Sequence, residues 1–258
     1  MFKQLMLILL LIHILGDYYF QTEEIAKQKQ DKLSALIKHS ILYLVACITV
    51  ILPIITIEML ISAVSLGISH AVIDFAKYKY VSNKYIQPDN NGKSLLMQKR
   101  TVVIFLVDQF AHFICIFIIA YALTANNYSV HITSMVHRFF QVVDVHATAV
   151  LPWTVILLLI WKPVNITIKQ LLSVYKPNNE EKEIPNDKNT GGFIGLLERL
   201  IILMFLAIGQ YAAIGLVLTA KSIARYDKIA KQPSFAEYYL LGTLLSTFLV
   251  IILYLGIM

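Results

Sequence analysis

Long hydrophobic segments alternate with short polar stretches along most of the chain. Runs of about twenty apolar residues with few charges are long enough to cross a bilayer as helices. The pattern predicts an all-α fold, a polytopic transmembrane helical bundle with about seven hydrophobic helices. The predicted segments are 5–20, 39–57, 59–77, 101–125, 150–161 with an extension past Pro163, 192–220 and 238–258.

The polar stretches predict where the chain divides. We expect a four-helix transmembrane bundle over residues 1–125, an external loop over 126–148 and a C-terminal transmembrane half over 149–258. A run rich in Asn, Pro and Gly predicts a polar linker at 173–191. Segment 192–220 can either span the membrane or break and re-enter it, and the sequence leaves both possibilities open.

Lysine and arginine residues predict the orientation. They concentrate in residues 22–38 and 77–100, and positively charged loops face the cytoplasm. The N-terminus is then expected outside, in a multi-pass membrane protein. A turn is also expected at residues 88–92, within the second of these basic stretches.

Composition agrees with a membrane protein. The 258 residues are 58% hydrophobic and only 15% charged, whereas soluble domains are about a quarter charged. The net charge of +6 comes from residues between the apolar segments, which argues against nucleic-acid binding. Cys47 and Cys115 both lie within apolar segments, so neither a disulfide nor a zinc ribbon is expected.

Three of the hydrophobic segments each contain a histidine and an aspartate four residues apart. The pairs are His13 with Asp17, His70 with Asp74, and Asp108 with His112. Side chains at this spacing share one face of a helix. With the orientation above, the three aspartates lie roughly 5–12 Å from the cytoplasmic helix ends, and His39 is expected at the start of its helix, near the same level.

Imidazoles and carboxylates inside a membrane are costly, and they are the side chains that bind divalent metals. The candidate ligands are His13, Asp17, His39, His70, Asp74, Asp108 and His112. Zinc fits this set best, with manganese or iron as alternatives. A metal would supply hydroxide for hydrolysis, and Asp17 or Asp108 is the candidate general base.

Two other functions fit the same residues. A proton- or metal-coupled transporter or channel would use the pairs as a relay and would need a polar path to the outer face. A structural or regulatory membrane partner would use them only to fix helix packing, which is the usual role of one such pair. The oligomeric state does not follow from the sequence.

Cationic residues predict the substrate class. Lys77 lies one turn beyond Asp74 on the same helical face. Arg199, Lys221 and Arg225 in the second half are candidates for the same role, with interfacial ion pairing as the alternative. Together they favour an anionic substrate, such as an anionic lipid of the bilayer that surrounds the protein.

Several of these segments also resemble a known family. The motifs, in order, are His13-Ile14-Leu15-Gly16-Asp17-Tyr18-Tyr19-Phe20-Gln21, His39, His70-Ala71-Val72-Ile73-Asp74-Phe75-Ala76-Lys77 and Asp108-Gln109-Phe110-Ala111-His112. Over residues 5–124 the chain resembles an uncharacterised family of bacterial integral membrane proteins known only as a domain of unknown function. The second half looks like an extension of longer members. The His-x-x-x-Asp helices are more distantly similar to inner-membrane metal-dependent hydrolases. The family implies membrane placement and these site residues, and it implies no reaction.

Overall fold

The structure is a computed structural model that describes residues 1–84, 95–176 and 187–258. The described residues form helices and connecting turns, without a β-strand. Six of the described helices are long and apolar enough to cross a membrane, which is typical of a multi-pass membrane protein. The sequence predicted about seven. The segment 192–220 is divided between two helices, neither of which is among the six.

By contacts between Cα atoms the chain forms two compact units, Met1–Val155 and Ile156–Met258. The first unit contains helices α1 (Phe2–Ile14, continued by a π-helical turn Leu15–Tyr19), α2 (Glu23–Gln28), α3 (Leu33–Ile51), α4 (Ile57–Lys84), α5 (Leu95–Ala125), α6 (Ser134–Val142) and the start of α7 (Ala147–Leu172). The second contains the rest of α7, α8 (Asp187–Ala207), α9 (Tyr211–Ile223), α10 (Tyr226–Lys231) and α11 (Pro233–Ile257).

Several helices extend beyond the apolar segments that predicted them. Helix α3 begins at Leu33, so His39 lies in its second turn and does not begin the helix as expected. Helix α4 continues past Lys77 to Lys84. A helix satisfies its own backbone hydrogen bonds, so it continues into polar sequence that contains good helix formers.

Some predicted connections can be compared with the described residues. Residues 126–148 contain the short helix α6 as well as loop. The turn predicted at 88–92 lies outside the described residues. So do residues 177–186 of the linker predicted at 173–191. Its described start is a single 3₁₀ turn, Ser173–Tyr175, and its end was predicted wrongly, because residues 187–191 form the beginning of helix α8.

Helices α1, α3, α4 and α5 form a four-helix bundle. Helix α1 contacts α3 and α5, and α4 contacts the same two helices from the other side. Helices α3 and α4 are joined by a short connection and run antiparallel, with the Tyr43 ring on the His70 ring. Phe2, near the start of α1, packs on Phe117, whereas the Tyr18 hydroxyl at its other end donates a hydrogen bond to Gln109. Helices α1 and α5 are therefore also antiparallel. Each polar pair therefore reaches the same end of the bundle.

The opposite end of the bundle is apolar. Most buried apolar residues of the four helices lie toward this end from the polar residues, and they pack into a common core. This core includes Leu5, Ile8, Leu9, Ile12, Cys47, Ile51, Met59, Ala63, Leu66, Ile116, Ala120 and Leu123. Large apolar side chains such as Ile68, Val72, Val107 and Phe110 are exposed on the outside of the bundle. Apolar residues both inside and outside are typical of helices in lipid.

The second unit is built on contacts between α8 and α11, with α9 packed on α8 and α10 on α11. Helix α8 ends at Ala207, and Gly209, two residues later, has a left-handed φ of +71°. The Gln210 N–H donates to the Phe205 carbonyl at 2.8 Å and the Gly209 N–H to the Leu206 carbonyl at 3.2 Å, which is a Schellman motif. Segment 192–220, for which the sequence left a break open, is therefore interrupted between Ala207 and Tyr211.

Candidate metal centre

All seven histidines and aspartates expected at the site are buried in the first unit. They converge in three overlapping groups, and within each group the ligand atoms lie within 4.8 Å of one another. The groups are Asp17 with His39, His70 and Asp74; His13 with Asp17 and His112; and Asp74 with Asp108 and His112. The structure thus brings together every residue that the sequence proposed as a ligand.

The first group is the most closely connected. His70 Nε2 lies 2.9 Å from Asp17 Oδ1. His39 Nε2 lies 3.1 Å from the same oxygen and 3.2 Å from Asp74 Oδ2. A single proton on His39 Nε2 can point well at only one of the two carboxylates at a time. A cation surrounded by the four atoms would use all their lone pairs, as metals do with His and Asp ligands.

His112 has a defined tautomer. Its Nδ1 lies 2.8 Å from the backbone carbonyl oxygen of Asp108, one helical turn earlier. A carbonyl oxygen only accepts, so Nδ1 must donate and the neutral ring carries its lone pair on Nε2. That Nε2 is buried without a hydrogen-bond partner among the described residues. A backbone carbonyl that fixes the tautomer in this way is common for metal-binding histidines.

Ring stacking holds the other imidazoles. The Tyr43 ring stacks on the His70 ring with centroids 3.7 Å apart, and His13 stacks on His112 at 5.0 Å. Tyr43 reaches this position because Gly16 has no side chain. A Cβ on Gly16 would lie 2.4 Å from Tyr43 Cδ2, well inside contact distance. Gly16 lies in the π-helical turn that presents Asp17, and π-helical turns are frequent at functional sites.

The sequence did not indicate Lys29, which lies in the connection between α2 and α3. Its Nζ is 3.2 Å from Asp74 Oδ2, 3.0 Å from His39 Nε2 and 3.8 Å from Asp17 Oδ1. Burial opposes the charge of Lys29, but Asp17 and Asp74 outweigh burial and raise its pKa above the usual value. The ammonium is therefore a permanent cation beside the first group. Two other lysines lie within four residues of Lys29 in the sequence. Only its tertiary contacts therefore distinguish Lys29 from them.

The cationic residues that were predicted to bind substrate are divided between the two units. In the first unit, Lys77 Nζ donates to Asp108 Oδ2 at 2.8 Å. In the second unit, Lys221 Nζ donates to Glu198 Oε2 at 2.6 Å, and the Arg225 guanidinium lies 5.9 Å from the centre of the Tyr239 ring.

Arg199 is buried in the second unit, and its Nε donates to the Ile160 carbonyl at 2.8 Å. This contact gives Arg199 a structural role between α7 and α8. Its predicted contact with substrate stays a prediction.

Two cavities in the first unit mark its two ends. A small one of about 10 Å³ adjoins the polar groups and is lined by Lys29, Gln30, Leu36, Asp74, Lys77, Tyr78 and Val81. A larger one of about 520 Å³ lies at the other end, beside Thr56, Glu58 and Tyr128. The apolar core separates the second cavity from the histidines.

The fold and the site define a class: an all-helical protein of the multi-pass membrane type, with a buried His/Asp cluster that can hold a metal ion. The model of the family described as "Protein of unknown function (DUF3307)" matches residues 5–140, which is more than half of the chain, and the protein belongs to this family. The match includes all seven candidate ligands. Comparison with curated proteins finds no match, and comparison with solved structures finds none.

Proposed function

We propose that the protein is a metal-dependent hydrolase that cleaves an ester or phosphoester at the cytoplasmic leaflet of a bacterial inner membrane. The observation that carries the proposal is the convergence of four imidazoles and three carboxylates, all buried, from four helices. Burying this many ionisable groups is costly unless they are paired or bind a cation. A divalent metal, zinc before manganese or iron, matches the ligand types.

Each residue of the cluster has a role in this proposal. Asp17, His39, His70 and Asp74 hold the metal, and His13 and His112 offer further ligand atoms next to Asp17. A divalent metal held there would supply a bound water of lowered pKa as the nucleophile. Asp108 acts as general base, because it lies outside the first group and its Oδ1 is buried without a partner among the described residues.

The apolar core favours a hydrolase over the transporter that the sequence also allowed. A relay across the membrane needs polar groups along its whole length. Beyond His13, His70 and His112 the bundle interior consists of apolar side chains up to the far cavity. The polar groups adjoin a small cavity at the end that carries Lys29 and Lys77, which supports substrate entry and exit from that side.

Metal analysis of the purified full-length protein in detergent tests the proposal. We expect about one or two equivalents of a transition metal in the wild type, and loss of metal in Asp74→Asn and His70→Ala. Asp108→Asn should keep the metal yet hydrolyse bis(p-nitrophenyl) phosphate about a hundredfold more slowly, since a general base contributes about that much or more.

The matched control is Asp31→Asn, which removes an exposed carboxylate near the same end of the bundle. It should change neither metal content nor rate. A wild-type protein that binds none of the three metals at stoichiometric level would disprove the proposed function. Equal rates for the wild type and Asp108→Asn would remove Asp108 from the mechanism.

A further inference from the structure

The Lys29 ammonium occupies the place where a metal in the first group would have its charge. It contacts atoms of Asp74 and His39 within 3.2 Å, and Asp17 at 3.8 Å. These are three of the four residues of that group. A lysine ammonium has three donors and no acceptor, so it uses the lone pairs that a metal would need.

A metal and the Lys29 ammonium cannot share these atoms. Both are positive, and the repulsion between them is weakly screened at a buried site. When a divalent ion binds the carboxylates, Lys29 loses its partners and gains a cationic neighbour. The Lys29 side chain can move away from the carboxylates. Lys29 lies in the connection after the six-residue helix α2, and its charge is at the end of a flexible four-carbon chain.

The direction in which Lys29 can move is given by the small cavity. Lys29 and Lys77 both line it, together with Asp74 and Tyr78. At about 10 Å³ it has room for roughly one water molecule while Lys29 points inward. Withdrawal of the Lys29 side chain enlarges the space beside Lys77 and leaves two cations facing it.

We propose that Lys29 is an internal counter-ion which the metal displaces, and that displaced Lys29 then joins Lys77 to bind a phosphate or phosphoester group at the mouth of the site. The inference rests on the proposed function and adds to it the substrate class and the order of binding. Metal binds first, because only the metal-loaded protein has Lys29 available. The anionic group comes either from a lipid headgroup or from a soluble phosphoester.

Zinc affinity tests the counter-ion role. Isothermal titration of the full-length protein in nanodiscs should give at least tenfold tighter zinc binding for Lys29→Met than for the wild type, since no ammonium has to be displaced. Lys27→Met is the matched control, because Lys27 is exposed on helix α2 only two residues before Lys29, and it should leave the affinity unchanged. Weaker or equal zinc binding by Lys29→Met would overturn the inference, because Lys29 would then support the ligands or play no part.

Binding of inorganic phosphate tests the anion site. The zinc-loaded wild type should bind phosphate at least tenfold more tightly than the metal-free protein, and zinc-loaded Lys29→Met and Lys77→Met should each lose most of that gain. Phosphate that binds both variants as well as the wild type would lie on the metal alone, and the inference would be wrong. Nanodiscs that contain phosphatidic acid distinguish the sources: competition with phosphate indicates a lipid headgroup, and phosphate binding without competition indicates a soluble phosphoester.

The two proposals fail differently. If the wild type binds no zinc, manganese or iron, the proposed function fails and the inference fails with it. If the wild type binds metal but the Lys29 and Lys77 variants bind zinc and phosphate with the same affinities as the wild type, the metal site stands. Only the counter-ion inference is then disproved.

Discussion

Single residues at the site show how closely its parts depend on one another. Asp17 belongs to two of the three ligand groups, and the residue before it, Gly16, admits the Tyr43 ring that stacks on His70. A substitution at Gly16, which has no chemical function of its own, should therefore affect the geometry of two ligands, Asp17 and His70. The His-x-x-Gly-Asp motif carries a packing requirement as well as a pair of ligands.

Gly16→Ala should destabilise the protein and weaken metal binding. The new methyl group would lie 2.4 Å from Tyr43 Cδ2, so the ring or the π-helical turn must move. Overpacking of this kind costs about 1–3 kcal/mol. We expect a lower thermal unfolding midpoint in detergent, measured by circular dichroism, and a lower affinity for zinc.

Gly215→Ala is the control for the Gly16 variant. Nothing lies within 4 Å of a Cβ at Gly215, which is exposed within helix α9. It should have an equal or higher midpoint, because alanine favours helix by up to about 1 kcal/mol relative to glycine. If both variants unfold at the same temperature, the contact between Gly16 and Tyr43 is not important for stability.

At the scale of helices and turns, left-handed residues end three of the helices. Asn127, Asp144 and Gly209 have φ values of 55°, 52° and 71°. Each is followed by a residue whose N–H returns to the helix: Tyr128 to Leu123, Val145 to Phe140, and Gln210 to Phe205. Asn, Asp and Gly are the residues that tolerate this conformation, so the ends are encoded locally.

Gly209→Ala should destabilise the end of helix α8. A Cβ there meets no atom within 4 Å, so the whole cost arises from the positive φ. That cost is about 1–2 kcal/mol for a non-glycine residue. The thermal midpoint should fall, and Gly256→Ala, at an equally open position within helix α11, should not lower it. Equal midpoints would mean that α8 and α9 can rearrange without a left-handed residue.

At the scale of the whole molecule, the arrangement relative to a membrane follows from charges and apolar surfaces. The bundle exposes large apolar side chains along its length. The connection between α1 and α3 carries Lys27, Lys29 and Lys32, whereas the connection between α3 and α4 carries no lysine or arginine. Positively charged connections face the cytoplasm, which would place the polar groups of the site at the cytoplasmic leaflet.

Cysteine labelling tests this orientation. In a background without Cys47 and Cys115, we expect Ser129→Cys to react with a membrane-impermeant maleimide in intact spheroplasts. Asp31→Cys should react only after permeabilisation. Both positions are exposed, so accessibility within the protein does not limit either reaction. The reverse pattern would place the N-terminus inside and the site at the other leaflet.

The helical class and the three polar pairs follow from the amino-acid sequence alone. Apolar length predicts membrane helices, and the four-residue spacing in His13/Asp17, His70/Asp74 and Asp108/His112 sets one face per helix, because both are properties of a single helix. It misplaced the start of α3 at His39, since a helix continues through polar residues wherever its backbone bonds are satisfied.

The remaining features depend on contacts between helices in the tertiary structure. Local sequence does not distinguish Lys29 from the other lysines nearby, and its position against Asp74 and His39 depends on how α1, α3 and α4 pack. The engagement of Arg199 by the Ile160 carbonyl likewise follows from the approach of two helices. Contacts between helices depend on the packing of whole surfaces, which no short stretch of sequence specifies.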